Sequence, residues 1–158
     1  MRRLANLYWL WLAVLIVILD IISKQYAVRY LILYQPLPLL PHINLLLAHN
    51  SGAAFSFLGK MGGWQRWLFI GVALIMCNIL MNWLLHLPKR NHLLAAALAL
   101  ILGGAIGNLW DRLQDGYVID FIDFYFKTWH FATFNIADAA ITAGAILLII
   151  SSLLKHKN

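Results

Sequence analysis

The sequence predicts a mainly α-helical membrane protein, in which four transmembrane helices carry a small β-rich subdomain on the outer face of the membrane. Three observations lead there. The chain is 63% hydrophobic and 11% charged, with a mean hydropathy of +0.77, whereas charged residues make up about a quarter of a soluble domain. It contains apolar runs of the ~20 residues that a helix rising ~1.5 Å per residue needs to cross a ~30 Å hydrocarbon core. Its basic residues gather at the ends of those runs. The 158 residues are expected to form one integral membrane domain, since no internal repeat, low-complexity tract or linker divides them.

The expected spans are residues 7–26, 67–87, 93–110 and 136–154. The first follows Met-Arg-Arg and so has the opening of a signal peptide. The run is long, however, Asp20 and Lys24 interrupt its end, and no small-residue cleavage site follows, so it is expected to remain as an uncleaved helix. Arg2 and Arg3 precede span one, Lys89 and Arg90 lie in the turn between spans two and three, and Lys155 and Lys157 end the chain. By the positive-inside rule both termini and that turn are cytoplasmic. The same distribution accounts for the formal net charge of +6 and the pI near 9.7 and excludes a nucleic-acid partner, which would need a basic stripe interleaved with aromatics.

The two longer connections, residues 27–66 and 111–135, then lie on the outer face. The first contains the short β-prone runs "YLILY", "INLLLAHN" and "AAFSF", punctuated by Pro36, Pro38, Pro41 and Ser51-Gly52, as expected of a small sheet at the membrane surface. Cys77 is the only cysteine, sits in an apolar run and is expected to be a small buried hydrophobe.

Charged groups in a membrane are costly and mark function by default. All six acids are aspartate. Asp20 and Lys24 stand at i,i+4 with the acid first, the orientation that pairs best on a helix and that suffices as a structural pair. Asn108, Asp111 and Arg112 close span three, and Asn135 and Asp138 open span four, so all of these fall at the outer boundary. A small-xxx-small step, Gly103–Gly107 on span three and Ala140–Gly144 on span four, would let these two helices approach closely. Asp111 has Arg112 as its neighbour, and Asp115 sits in an exposed turn. Asp123 reads as a solvated neighbour of Asp120. Asp120 and Asp138 have no basic residue at a local pairing distance. On span two, Asn78, Asn82 and His86 form an i,i+4 stripe suited to interhelical hydrogen bonds.

Two unpaired carboxylates near a low-dielectric boundary fit aspartic proteolysis, because like charges sharing a site hold one proton between them. Spacing alone leaves a proton relay or ion-binding pair in a carrier equally open, although the apolar inner halves of spans one, three and four favour a one-sided site. A structural subunit is a third reading. The six histidines form no H-E-x-x-H, and Ser51 in "NSGAAF" reads more simply as part of a tight turn than as a nucleophile.

Five motifs in order decide among these. "LDIISK", "HNSGAAFSF", "GGAIGNLWDR", "VIDFIDF" and "FNIADAAI" together resemble the lipoprotein signal peptidase family, the bacterial intramembrane aspartic endopeptidases called signal peptidase II, over essentially the whole chain. The resemblance implies removal of the signal peptide from a prolipoprotein, just before a cysteine carrying a diacylglyceryl group, in the bacterial inner membrane. It implies Asp120 and Asp138 as the catalytic dyad, with Asp123 outside it. Asp20, Asn50, Gly52, Asn108, Asp111, Arg112, Asn135 and Ala137 match positions that support the dyad or line the substrate groove. It further implies no metal or other cofactor, a monomer working among membrane lipids, and inhibition by the cyclic peptide globomycin. Phe55, Phe57, Trp64 and Trp67 are expected to rest in the interface, where aromatic residues are favoured.

Overall fold

The computed structural model describes residues 6–52, 64–88 and 90–155. Four helices account for most of it: α1 (Leu10–Tyr30, entered through a 3-10 turn at Leu7–Trp9), α2 (Trp64–His86), α3 (His92–Gln114) and α4 (Ile136–Lys155). All four are long and apolar enough to cross a membrane, with mean hydropathies of 2.0 to 2.2 over their best windows. The helical runs outreach the expected spans. α1 continues past Tyr26 to Tyr30 and stops where Leu31 turns extended. α3 continues past Trp110 to Gln114, and Gly116 follows at φ +84°, a left-handed position at which a glycine ends a helix without strain. α2 begins at Trp64, three residues before the expected Trp67. Hydropathy ends a span at the first polar residues, whereas these helices keep their backbone hydrogen bonds through them.

α3 is the central helix, packing on α1, α2 and α4; 56% of its most apolar window is buried, against 17% for each of the others. Its small residues explain the approach, but they divide the work differently from the expected single seam. A Cβ on Gly103 would lie 2.8 Å from the Ala13 carbonyl oxygen of α1, and one on Gly104 would strike the Ala137 carbonyl and stand 2.7 Å from Ile141 Cγ1 of α4. One on Gly107 would stand 2.6 Å from Asp20 Oδ2 and 3.4 Å from the Ala137 Cβ. Residues one apart on a helix point about 100° apart, so Gly103 serves α1, Gly104 serves α4, and Gly107 lies between the two. Gly144 meets α3 from the other side, at Ala97 and Ile101. At the opposite end, buried Asn6 donates to the carbonyls of Leu84 (3.3 Å) and Leu87 (2.7 Å), satisfying groups that the end of α2 leaves free.

The stripe on α2 does not bond to another helix among the described residues. Asn78, Asn82 and His86 are exposed, and His86 Nδ1 meets the Asn82 carbonyl of its own helix at 2.8 Å. The buried face of α2 is instead the one carrying Leu80 and Leu84. Cys77 is half-buried beside the cluster they form with Leu98 and Leu102.

A four-stranded antiparallel sheet, in the order β1 (Leu37–Leu40), β2 (Ile43–Asn50), β3 (Val118–Phe126), β4 (Trp129–His130), caps one end of the helices. Only "INLLLAHN" among the expected runs is a strand. "YLILY" is the end of α1 and the turn after it, "AAFSF" lies outside the described residues, and β3 comes from "VIDFIDF". The sheet therefore joins both long connections, with Ala48 opposite Asp120 and Asn44 opposite Asp123. Leu47 and Phe121 pack with Ala27 of α1 and with Ile136 at the start of α4, which seats the sheet on the helix ends.

The glycine seam gives a direct test. Gly104→Ala must push α4 away from α3, and overpacking of this kind costs about 1–3 kcal/mol, so its melting temperature should fall by several degrees. Gly71→Ala, whose Cβ would meet nothing within 4 Å, should melt at or slightly above the parent value because alanine favours the helix. Equal melting of the two variants would show that the seam is not tight.

Candidate active site

The two carboxylates singled out in sequence are delivered by different kinds of element. Asp138 lies in the first turn of α4. Asn135 precedes that helix and accepts the Asp138 N–H on its side-chain oxygen at 2.9 Å, while Asp138 Oδ2 accepts the Asn135 N–H at 3.3 Å. This reciprocal capping box fixes the Asp138 side chain through the start of its own helix. Asp138 Oδ1 accepts from Asn108 Nδ2 of α3 at 2.8 Å. Asp120 stands on β3 and is 1% exposed.

Two amides hold Asp120: Asn50 Nδ2 donates to Oδ2 at 3.0 Å and Asn135 Nδ2 to Oδ1 at 2.8 Å. Burial pushes its carboxyl up to about 6. The Asn50 hydrogen bond opposes that rise, the charge of Asp138 adds to it, and Asn135 and Lys24 oppose it. Asn135 thus grips one carboxylate with its side chain and caps the helix that carries the other. Neither acid forms an ion pair among the described residues.

Behind them lies a buried cation. Lys24 Nζ meets Asp20 Oδ2 at 2.6 Å, Asp111 Oδ2 at 2.8 Å and Asn108 Oδ1 at 3.2 Å, so its three N–H bonds have three acceptors. Each acceptor has a second task. Asp20 Oδ1 accepts the Ala137 N–H at 2.9 Å, which ties α1 to the start of α4. Asp111 Oδ2 accepts the Ile119 N–H at 3.1 Å, next to Asp120 on β3, and Asn108 holds Asp138. The i,i+4 pair expected between Asp20 and Lys24 is present, but it belongs to this network rather than standing apart.

Asp111 does not pair with Arg112, its neighbour in sequence. Adjacent side chains on a helix do not face each other; Asp111 turns to Lys24, while Arg112 donates to the Asn108 carbonyl at 3.1 Å and lies over the Phe69 ring at 5.3 Å. Gly52 donates its N–H to Asn50 Oδ1 at 2.9 Å and so orients the amide that holds Asp120. Its φ of +87° and the Phe69 ring packed where a Cβ would be both require glycine. Ala137 is fully buried between Gly104 and Gly107. An apolar cleft of about 310 Å³ between α2, α3 and α4 opens beside Phe69 and ends at Asn108 and Arg112.

Asp123 departs from its expected solvated state. It is 1% exposed, accepts from Asn44 Nδ2 at 2.9 Å, and meets His130 Nδ1 at 2.9 and 3.0 Å. Three residues along a strand reverse the face, since side chains alternate, so Asp123 points away from Asp120. Asp115 is exposed in its turn, as read from sequence. Trp64 and Trp67 are exposed at the start of α2, whereas Phe55 and Phe57 lie outside the described residues. Sequence reading missed Lys24 as the hub and Phe69 as a site neighbour. An isolated lysine at the polar end of an apolar run was a signal for the first; Phe69 carried none.

The family described as Signal peptidase (SPase) II matches residues 12–154. Lipoprotein signal peptidase of Yersinia pseudotuberculosis serotype O:1b is 52% identical over 149 residues, covering 94% of this chain and 88% of that protein. The one from Hydrogenovibrio crunogenus is 52% identical over 141 residues, covering 89% and 82%. Two solved structures described as a bacterial membrane enzyme, obtained by the in meso method, superpose with TM-scores of 0.83 and 0.82 at 31% and 32% identity. They cover 92% and 96% of this chain, and 92% and 90% of their own. A chain with these relatives along nearly its whole length, and with Asp20, Asp111, Asp120, Asp138 and Lys24 gathered at one end of four apolar helices, belongs to the signal peptidase II family of proteases.

Proposed function

We propose that the chain cleaves diacylglyceryl-modified prolipoproteins just before the lipidated cysteine, with Asp120 and Asp138 acting as one aspartic dyad that activates water. The observation that carries the reading is the shared scaffold: Asn135 binds the Asp120 carboxylate and caps the helix presenting Asp138, with no cation paired to either among the described residues. Buried Asp120 suits the member that holds the proton and polarises the scissile carbonyl. Asp138 then takes a proton from water as the water oxygen adds to the carbonyl carbon. The tetrahedral intermediate collapses with cleavage of the C–N bond, and the leaving amine takes up a proton. No acyl-enzyme and no metal enter this sequence.

The same reading sets orientation. With Arg90 in the connection between α2 and α3 and Lys155 in the last turn of α4, both termini face the cytoplasm and the sheet lies on the outer face of the inner membrane. Arg2, Arg3, Lys89 and Lys157, which also carried this expectation, lie outside the described residues. A cysteine with two acyl chains resists leaving the bilayer, at ~0.8 kcal/mol for each buried CH₂, so a site at the membrane boundary meets the bond without extracting the lipid. The apolar cleft ending at Asn108 and Arg112 offers such a substrate a path to the acids. Action as a monomer and inhibition by globomycin belong to the same proposal.

Cleavage by the purified protein of a diacylglyceryl-modified precursor, followed by release of the signal peptide on a gel, tests the reading directly. The unmodified precursor should be processed at least tenfold more slowly, and equal rates would remove the lipid requirement.

Asp120→Asn and Asp138→Asn should each lower turnover by more than a hundredfold while the protein still folds and binds substrate, because general acid–base steps contribute ~10²–10⁴-fold. Asp20→Asn should instead lower the melting temperature with activity remaining, since Lys24 keeps Asp111 but loses one of two counter-charges. Cleavage rates and melting curves on these three variants distinguish the roles, and near-normal turnover in either dyad variant would displace the site.

The pH profile provides a separate measure. A carboxyl raised to about 6 keeps its proton below that pH and loses it as pH rises through it, so kcat/KM should fall on the alkaline side through an apparent value belonging to the pair. Asn50→Ala removes a hydrogen bond that holds Asp120 down, so the alkaline limb should move to higher pH. A limb that stays in place would show that Asp120 does not carry the proton.

A further inference from the structure

On the far side of α3 from the apolar cleft, the outer ends of α1 and α3 enclose a crevice of about 410 Å³, within the ~300–1,000 Å³ of small-molecule sites. The buried Lys24–Asp111 pair lines it, and Gln25, Arg29, Trp110 and Asp115 stand exposed around it. Arg29 and Asp115 are of opposite sign and line one crevice, yet neither has an ion-pair partner among the described residues; Arg29 only flanks the Tyr30 ring, at 5.6 Å. Two such groups held apart in one crevice fit a ligand carrying both charges at a distance. The surroundings specify the rest of it. Ile18 and Ile22 of α1 and Leu113 of α3 are exposed apolar side chains near the crevice in sequence, and Trp110 is the kind of residue that settles at headgroup depth.

We propose that this crevice binds the headgroup of a zwitterionic aminophospholipid, a phosphoethanolamine. Arg29 and Gln25 receive the phosphate, and Asp115 receives the primary ammonium. The acyl chains run along the apolar surfaces of α1 and α3. Charge-assisted hydrogen bonds at both ends set the preference: a choline headgroup has no N–H to give Asp115, and a glycerol headgroup has no cation. The site abuts the dyad's supports from behind, because Asp111 in its wall also holds the Ile119 N–H beside Asp120. Occupancy therefore steadies the Lys24–Asp111 pair without touching the cleaved peptide.

The test uses the full chain in detergent, with dioleoyl phosphatidylethanolamine, phosphatidylcholine and phosphatidylglycerol added singly, and with soluble O-phosphoethanolamine as a fourth arm. The readouts are melting temperature and lipid retained in native mass spectrometry. Phosphatidylethanolamine at a hundredfold excess over its Kd should raise the melting temperature by roughly 5–10 °C and be retained more than the other two. Asp115→Asn should erase its advantage over phosphatidylcholine, and Arg29→Gln should weaken retention of both; both side chains are exposed, so these variants should fold. Equal effects of the three lipids would overturn the proposal, as would a selectivity that survives both substitutions. A shift with soluble O-phosphoethanolamine as large as that with the lipid would place the preference in a free metabolite rather than a membrane component.

Discussion

The Lys24 ammonium is the interaction on which the rest of the site depends. An ion of this kind at membrane depth is tolerated only when paired, and burial of a charge costs several kcal/mol even after relaxation. Lys24 meets that cost with three acceptors, two of them charged. Each acceptor is thereby fixed and still serves a second partner, Asp20 and Asn108 through another atom and Asp111 through the same Oδ2. Asp20 reaches the start of α4, Asp111 reaches β3, and Asn108 reaches Asp138. One cation thus sets the relative positions of α1, α3, α4 and β3, and a local change at any acceptor is felt by the other two.

The small residues of α3 make this hub possible. Asp20 can meet Lys24 and the Ala137 N–H only because Gly107 leaves room for its carboxylate. Gly103 and Gly104 bring the flanking helices to the distance at which those hydrogen bonds close. In a membrane, where apolar burial between helices gives little drive, close packing and polar contacts carry association, and here the two coincide on successive turns of one helix.

Much of this was legible in sequence. Four apolar runs gave the helices, and the polar residues interrupting their ends marked the end of the bundle at which the polar cluster gathers. Asp120 and Asp138 stood out in sequence for lacking a local cation, and neither forms an ion pair among the described residues. What could not be read was pairing across long separations. The link from Lys24 to Asp111 joins residues 87 positions apart in the numbering, and nothing local to Asp111 points to it. Asp123 looked solvated because its partners Asn44 and His130 come from two other strands. The split of the glycines between two neighbours likewise depends on helix phase relative to helices whose order around α3 is not written locally.

The pairing of β2 with β3 has a consequence for how the molecule is made. These strands lie about seventy residues apart in the chain, with α2 and α3 between them, and loop closure over such a distance comes late and at an entropic cost. Asn135 and Asp138 arrive later still, with the final helix. During synthesis, then, every earlier portion of the chain lacks an atom that the hydrogen-bonded cluster needs. The cluster is therefore complete only once α4 is in place, and a chain cut short of it would lack the Asn135 amide that holds Asp120, the Asp138 carboxylate that Asn108 holds and the Ala137 N–H that Asp20 accepts.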